Sequence, residues 1–190
     1  MPKVLFIDYD RCIGCKSCVA ACAELPSHRG KSRNYVVPLA PGVSTQTIPM
    51  TCFHCKDPAC ARVCPAGAIS ITQLGTVLSA DEEKCVGCRN CTLACPFGIP
   101  KFDFNENIMY KCDLCHERTS QGSAPMCASV CPAQTLQWIE LDEAMARRRS
   151  KVAAKIIGDI PVWGEDEVET RLVSLGSFGG TGVKEETHHD

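Results

Sequence analysis

No stretch of this chain approaches the roughly twenty consecutive apolar residues that a membrane-spanning helix needs. The formal net charge is only -2 across 190 residues, so there is no broad basic field of the kind that holds nucleic acid. No G-x-G-x-x-G fingerprint, P-loop or nucleophile elbow occurs, which removes the commonest nucleotide and acyl-transfer sites. The glycines of Gly179-Gly180-Thr181-Gly182 have no strand leading into them. Aromatic residues make up 6% of the chain, few for a fold stabilised by side-chain packing alone. The opening MPKVLFIDYDRC meets acidic residues and a cysteine almost at once, where a secretory signal would carry an apolar run. A cytoplasmic location is the expectation, with export bound to a signal-bearing partner left open.

What the chain does have is cysteine, sixteen of them in four groups of four. The groups are Cys12, Cys15, Cys18 and Cys22; Cys52, Cys55, Cys60 and Cys64; Cys85, Cys88, Cys91 and Cys95; and Cys112, Cys115, Cys127 and Cys131. None lies outside a group, so the count is that of four complete four-thiolate sites.

Three chemistries use such a count. Disulfide frameworks belong to secreted chains, and the start of this one argues against that setting. Structural zinc uses four cysteines too, but pairs one C-x2-C with a second pair well away, so that the chain wraps one tetrahedral ion. Here Cys12, Cys15 and Cys18 follow at steps of three, as do Cys85, Cys88 and Cys91. Three thiolates on one short loop reach three corners of a cubane more naturally than three vertices around one ion. The fourth cysteine comes after three further residues, followed by proline at Pro65, Pro96 and Pro132. This is the C-x2-C-x2-C-x3-C-P run of bacterial ferredoxins, whose last cysteine ligates the other cluster of a pair.

Groups two and four are variants in which the gap before the third cysteine widens, by a segment containing Pro58 and by the eleven residues HERTSQGSAPM. Crossed pairing then predicts Cys52, Cys55 and Cys60 with Cys95, and Cys85, Cys88 and Cys91 with Cys64. The other half would join Cys12, Cys15 and Cys18 with Cys131, and Cys112, Cys115 and Cys127 with Cys22. Strands are expected over Lys3 to Ile7, Ala66 to Ile71 and Thr135 to Ile139, with short helices delivering the fourth cysteines. The expected fold is α+β and tandem ferredoxin-like: an inner half over about 50–100 nested within an outer half of 1–25 plus 108–140. Together they form a four-cluster domain over 1–140. Since metal binding supplies folding free energy where no site is preformed, the apoprotein is expected to fold poorly.

Residues 141–190 change character, and are expected to form a helix and a partner-docking tail. Leu141 to Ile157 begins with Asp142 and Glu143 and continues with Arg147, Arg148, Arg149, Lys151 and Lys155, the order that suits a helix dipole. Met145, Val152 and Ile156 define its apolar face and Gly158 its stop. The simpler role is packing over the cysteine domain; the alternative is docking through the arginine run. From Pro161 onward the acidic, Gly-rich composition is expected to be irregular.

With all sixteen thiolates assigned, His54 and His116 are candidates for tuning a cluster through hydrogen bonds or charge, as are Lys16, Lys56, Arg62 and Arg89; plain solvation is the competing role for each. His188 and His189 fall in the terminal tail.

The motifs CIGCKSCVAAC, CFHCKDPACARVCP, CVGCRNCTLACP and YKCDLCHERTSQGSAPMCASVCP, covering roughly residues 3–140, are similar to those of the four-cluster iron-sulfur (beta) electron-transfer subunits of molybdopterin and tungstopterin oxidoreductases. That family serves dimethyl sulfoxide, polysulfide, thiosulfate and tetrathionate reductases and formate dehydrogenases. The resemblance implies four 4Fe-4S clusters and no catalytic residues. It implies single-electron transfer between a catalytic subunit with a pterin or other metal centre and a second redox subunit or carrier. The formate dehydrogenase type with a C-terminal membrane helix is not matched, because 141–190 is polar; any membrane attachment would be peripheral, through a partner. The alternatives are a freely diffusing polyferredoxin and a redox-sensing regulator, the latter without a basic patch to support it.

Overall fold

Strand β1 (Lys3–Asp8) is buried along almost its whole length, and its two faces serve different layers. Leu5 and Ile7 point to one side, where they pack with Leu114, Leu136, Cys18 and Cys127. Val4 and Phe6 point to the other and meet Ala144. Alternation of side chains along a strand produces this split, and a strand covered on both faces reads as a continuous apolar run. Burying each of these large side chains is worth roughly 1.5–3 kcal/mol. The computed structural model describes residues 3–156 and 172–175 of the chain.

The order of elements repeats. After β1 come helix α1 (Ser17–Ala23), a hairpin of β2 (Tyr35–Pro38) and β3 (Thr47–Met50), helix α2 (Ala59–Arg62) and strand β4 (Ile69–Ile71). The same succession follows: β5 (Val77–Ala80), α3 (Asn90–Ala94), a hairpin of β6 (Lys101–Asp103) and β7 (Ile108–Tyr110), helices α4 (His116–Thr119) and α5 (Met126–Ser129), and β8 (Leu136–Glu140). Pairing then departs from chain order. β4 pairs antiparallel with its neighbour β5, while β8 returns to pair antiparallel with β1, placing Ile139 opposite Val4 and Leu136 opposite Ile7. The first and last parts of the repeat are thereby joined around the middle.

Helix α6 (Leu141–Ile156) packs over β1 and β8. Its centre of contact is the fully buried Ala144 with Leu141; Met145, expected on the apolar face, is half-buried, and the side chains of Val152 and Ile156 lie outside the described residues. The small Ala144 lets the helix approach the sheet closely. Lys151, on the same side, pairs with Asp8 at the end of β1 and lies 3.3 Å from Asp10. Arg147 is held by Glu143 of its own helix at 2.5 Å.

The expectation of an irregular segment after Pro161 is corrected at Leu172–Leu175, which forms β9, parallel to β1 with Leu5 opposite Leu172. With β8 on one edge of β1, the other edge offers unpaired peptide groups, and a short apolar segment satisfies them. Gly158, Gly176, Gly179, Gly180, Gly182, His188 and His189 lie outside the described residues. The strand expected over Ala66 to Ile71 is shorter, Ile69–Ile71, because Gly67 turns the chain at φ +59°.

Candidate metal centres

Two devices build the four cysteine loops, a left-handed residue in two of them and a proline N-cap in the other two. In the first and third groups Lys16 (φ +59°) and Arg89 (φ +64°) follow the second cysteine and start α1 and α3, which carry Cys18 with Cys22 and Cys91. Cys95 caps α3. In the second and fourth groups the widened gaps close on the second device: Pro58 and Pro125 stand at the N-caps of α2 and α5, two residues before Cys60 and Cys127. Proline at that position needs no N–H partner, and its carbonyl accepts from the first turn, at 2.9 Å from Ala61 and 3.0 Å from Ala128. The eleven-residue excursion is α4 and a return in which Arg118 Nε donates to the Ala124 carbonyl at 3.2 Å.

Four cavities result, each ringed by four cysteines. Site 1 gathers Cys12, Cys15, Cys18 and Cys131; site 2, Cys52, Cys55, Cys60 and Cys95; site 3, Cys85, Cys88, Cys91 and Cys64; site 4, Cys112, Cys115, Cys127 and Cys22. The sets brought together each join three thiols of one group to the last thiol of another. With their open mouths the four spaces measure about 310, 500, 330 and 300 Å³ in that order. Among the described residues no three His, Cys, Asp or Glu side chains converge on one ion-sized point. The thiols surround a volume instead, as the donors of a polynuclear cluster must.

The sites stand in a row. Cys18 of site 1 packs in one cluster with Cys127 of site 4. Cys112 of site 4 shares a cluster with Cys52 and Cys95 of site 2. Cys60 of site 2 packs with Cys91 and Cys64 of site 3. The order is therefore 1, 4, 2, 3. All four thiols of site 4 are buried, whereas Cys15 and Cys88, in the two end sites, are exposed. Ile13 stands exposed beside site 1, and Val86 and Leu93 beside site 3.

The donor chemistry fits an iron-sulfur core. Burial pushes the Cys115 thiol up to about 12 and Cys18 to about 11, with neighbouring sulfurs adding to the effect. Cys91 rises to about 11 for the same first reason, and Cys127 goes well above its usual range. Four crowded sulfurs that resist ionisation when alone become good thiolate ligands only around a cationic centre, and loading then releases protons. The buried Thr51 hydroxyl lies beside Cys112 and opposes the effect of burial on that thiol, as a donor that a thiolate or cluster sulfur can accept from. Further donors point at sulfur: Thr47 Oγ1 on Cys12 at 3.3 Å, Arg33 N on Cys22 at 3.2 Å, His54 N on Cys52 at 3.4 Å, Ala68 N on Cys64 at 3.3 Å, Leu114 N on Cys112 at 3.4 Å and Thr135 N on Cys131 at 3.2 Å.

Of the candidate tuning residues, His54 is buried and reaches Cys52 through its backbone and Val77 N through its ring at 3.0 Å. Lys16 lines site 1 and Arg89 lines site 3. Arg89 stacks 5.6 Å from the Phe102 ring centre and 5.7 Å from that of Phe104. Arg62 is engaged by Asp57 at 2.6 Å, Lys56 is exposed and His116 is half-buried at the start of α4. Sequence reasoning missed Lys111, Thr47 and Thr51. Lys111 stands immediately before Cys112, but adjacency alone does not say which way a side chain turns.

The sequence matches the 4Fe-4S dicluster domain family over residues 43–141 and the 4Fe-4S single cluster domain family over residues 5–71. It is 35% identical over 162 residues to the B subunit of anaerobic dimethyl sulfoxide reductase from Escherichia coli (strain K12), with 78% of each protein covered. It is 33% identical over 180 residues to the thiosulfate reductase electron transfer subunit PhsB of Salmonella typhi, covering 90% of each. Similarity to the hydrogenase-2 operon protein HybA of Escherichia coli O157:H7 is 31% over 188 residues, spanning 82% of this chain and 57% of that one.

Proposed function

Because the chain belongs to the 4Fe-4S dicluster family, alongside these iron-sulfur subunits, we propose that its sixteen cysteines hold four 4Fe-4S clusters in the crossed sets of sites 1 to 4. The protein is an electron-transfer subunit of an oxidoreductase complex and not its catalytic subunit. A 4Fe-4S cluster with four cysteine ligands supplies a one-electron couple. The chain's part is to fix the order of the four couples, 1, 4, 2, 3, and to keep site 4 dry while the end sites reach the surface.

The observation that carries this reading is the gathering of three thiols from one group with the last thiol of another in every cavity. Such interleaving favours two nested ferredoxin-like halves, one closed by β4 and β5 and the other by β8 and β1. The exposed Ile13 at one end of the row and Val86 and Leu93 at the other suit contact with two partners: a catalytic subunit bearing a pterin or other metal centre, and a second redox subunit or carrier. No helix among the described residues is long and apolar enough to cross a membrane.

Iron and sulfide analysis should give about sixteen of each per chain, with four reducible signals in electron paramagnetic resonance. Stoichiometric zinc in place of iron would overturn the assignment. Purification in a fixed ratio with a catalytic chain supports the subunit role, and isolation as a fast-exchanging monomer would favour a free polyferredoxin.

A further inference from the structure

Lys111 is 1% exposed, and among the described residues no carboxylate pairs with it. Its backbone N–H donates to Ser79 Oγ at 3.1 Å, fixing the residue after β7 against β5. Its ammonium group turns inward, donating to the carbonyls of Val77 and, at 3.1 Å, of Cys112. Two carbonyls offer dipoles but no charge. Burying an ammonium without a countercharge is strongly unfavourable, and an anion beside it offsets that cost and keeps the group charged.

The anion is named by the surroundings. Lys111 lines the same cavity as Cys52, Cys55, Cys60 and Cys95. Its positive charge acts directly on Cys52 and Cys60, opposing what burial does to both thiols. Val77 ties the arrangement together: its carbonyl accepts from Lys111 while its N–H donates to His54, whose own N–H reaches Cys52. The lysine therefore belongs to the wall of site 2 and touches site 4 only through the Cys112 backbone.

We propose that Lys111 is the built-in countercharge of site 2 and that it raises the reduction potential of the cluster held there. The proposal rests on the ligand sets given under the proposed function. A cluster with four thiolates is anionic, and reduction adds one further negative charge. A fixed cation at short range in a poorly screened interior stabilises the reduced state more than the oxidised one. Among the described residues, sites 1 and 3 have no comparable buried cation. Lys16 and Arg89, which line them, are exposed and screened by solvent. Site 2 is an inner position in the row, so Lys111 places an easily reduced step in the middle of the path.

The test uses the full-length loaded chain carrying Lys111→Met, with potentials read by electron paramagnetic resonance during redox titration. The site 2 signal is identified as the one whose line shape changes in a Cys55→Ser chain. Iron and sulfide content reports separately on the ligand assignment: a wild-type chain short of four clusters would sink that assignment and the proposal with it, whereas four clusters with an unmoved site 2 potential would sink the proposal alone. With four clusters retained, the site 2 potential should fall, that of site 4 should fall less, and those of sites 1 and 3 should stay in place. No shift at site 2, or an equal shift at all four sites, would overturn the proposal. Should Lys111→Met fail to load site 2, Lys111→Arg and Lys111→Gln decide: loading by arginine alone supports the need for charge. Loading by glutamine at the wild-type potential, or failure of both, would show that the shape of the lysine is what matters.

Discussion

The hydroxyl of Thr47 lies 3.3 Å from the sulfur of Cys12, and the same side chain fills the space beside Gly14 where a Cβ would come within 3.1 Å of it. The hairpin β2–β3 thus reaches over the first cysteine loop, donating to its sulfur and holding its turn. Thr47→Val keeps the β-branched shape that suits a strand and removes the donor. The site 1 potential should then fall, because a hydrogen bond to sulfur favours the more negative, reduced state. A difference of about 0.5–1 kcal/mol between the two charge states corresponds to roughly 20–40 mV for a one-electron couple. A redox titration in which site 1 stays put, or moves upward, would count against the bond.

Gly87 occupies the equivalent turn in the third group, at φ +68°, and is the more constrained of the two. A Cβ there would meet the Asn107 side-chain amide at 2.4 Å, against 3.1 Å to Thr47 for Gly14. Both alanine substitutions carry the backbone cost of a left-handed non-glycine residue, about 1–3 kcal/mol. Gly87→Ala adds a collision with the exposed Asn107 side chain, which must turn aside, so it should be the more damaging by about 0.5 kcal/mol. Asn107 is itself at φ +52°, which glycine adopts without strain. The double variant Gly87→Ala/Asn107→Gly should therefore recover the collision part. Rates of iron loss to a chelator measure this; equal rates for Gly14→Ala and Gly87→Ala would refute the ranking.

The cysteine spacing made the grouping of thiols readable because a ferredoxin run carries its geometry in fixed offsets. Strand β1 was equally readable, from the apolar run Val4 to Ile7. Other elements were not. β2 and β3 each contain a proline, Pro38 and Pro49, which argues against a strand, and they form one only as an isolated two-stranded hairpin. β6 and β7 are three residues each, too short for any period to register. β9 depends on a free edge of β1 that exists only after β8 has paired with the other side, a fact of tertiary structure. Lys111 was invisible for a related reason. A lysine beside a cysteine reads as a solvated charge until the chain around it is closed.

Lys151 joins α6 to the sheet through Asp8 and Asp10. Partial burial works against its charge, but the bonds to Asp8 and then Asp10 leave its pKa raised above the ordinary lysine value. A raised folded-state pKa stabilises the protein fully below the unfolded value, near 10.4, and the contribution disappears as pH climbs through the folded value. Lys151→Met should thus cost about 1–2 kcal/mol at neutral pH, since Asp8 is left buried without its cation. The gap between wild type and variant should narrow above roughly pH 10.4. Thermal unfolding of both chains across neutral to alkaline pH reads this directly, and a gap that widens with pH would contradict the ion pair.

The crossed sets can be separated by two substitutions that look alike in sequence. Cys22 and Cys131 are each the last cysteine of their own group, yet Cys131 lines the cavity of Cys12, Cys15 and Cys18, and Cys22 that of Cys112, Cys115 and Cys127. If sulfur binds iron where the cavities place it, Cys131→Ala should disturb the site 1 cluster and spare site 4. Cys22→Ala should do the reverse. The two losses should also differ in severity. All four thiols of site 4 are buried, and the site shares its apolar surroundings with the Leu5, Ile7 and Leu136 core, so an unfilled site there weakens the packing beneath β1. Cys131 is half-exposed, and water or an added thiol can reach the vacated corner of site 1. Cys22→Ala should therefore lower the yield of loaded chain several-fold more than Cys131→Ala. Signals assigned by titration would reverse the reading if Cys131→Ala removed the site 4 cluster and left site 1 whole, because each group would then be closing on itself or on a different neighbour.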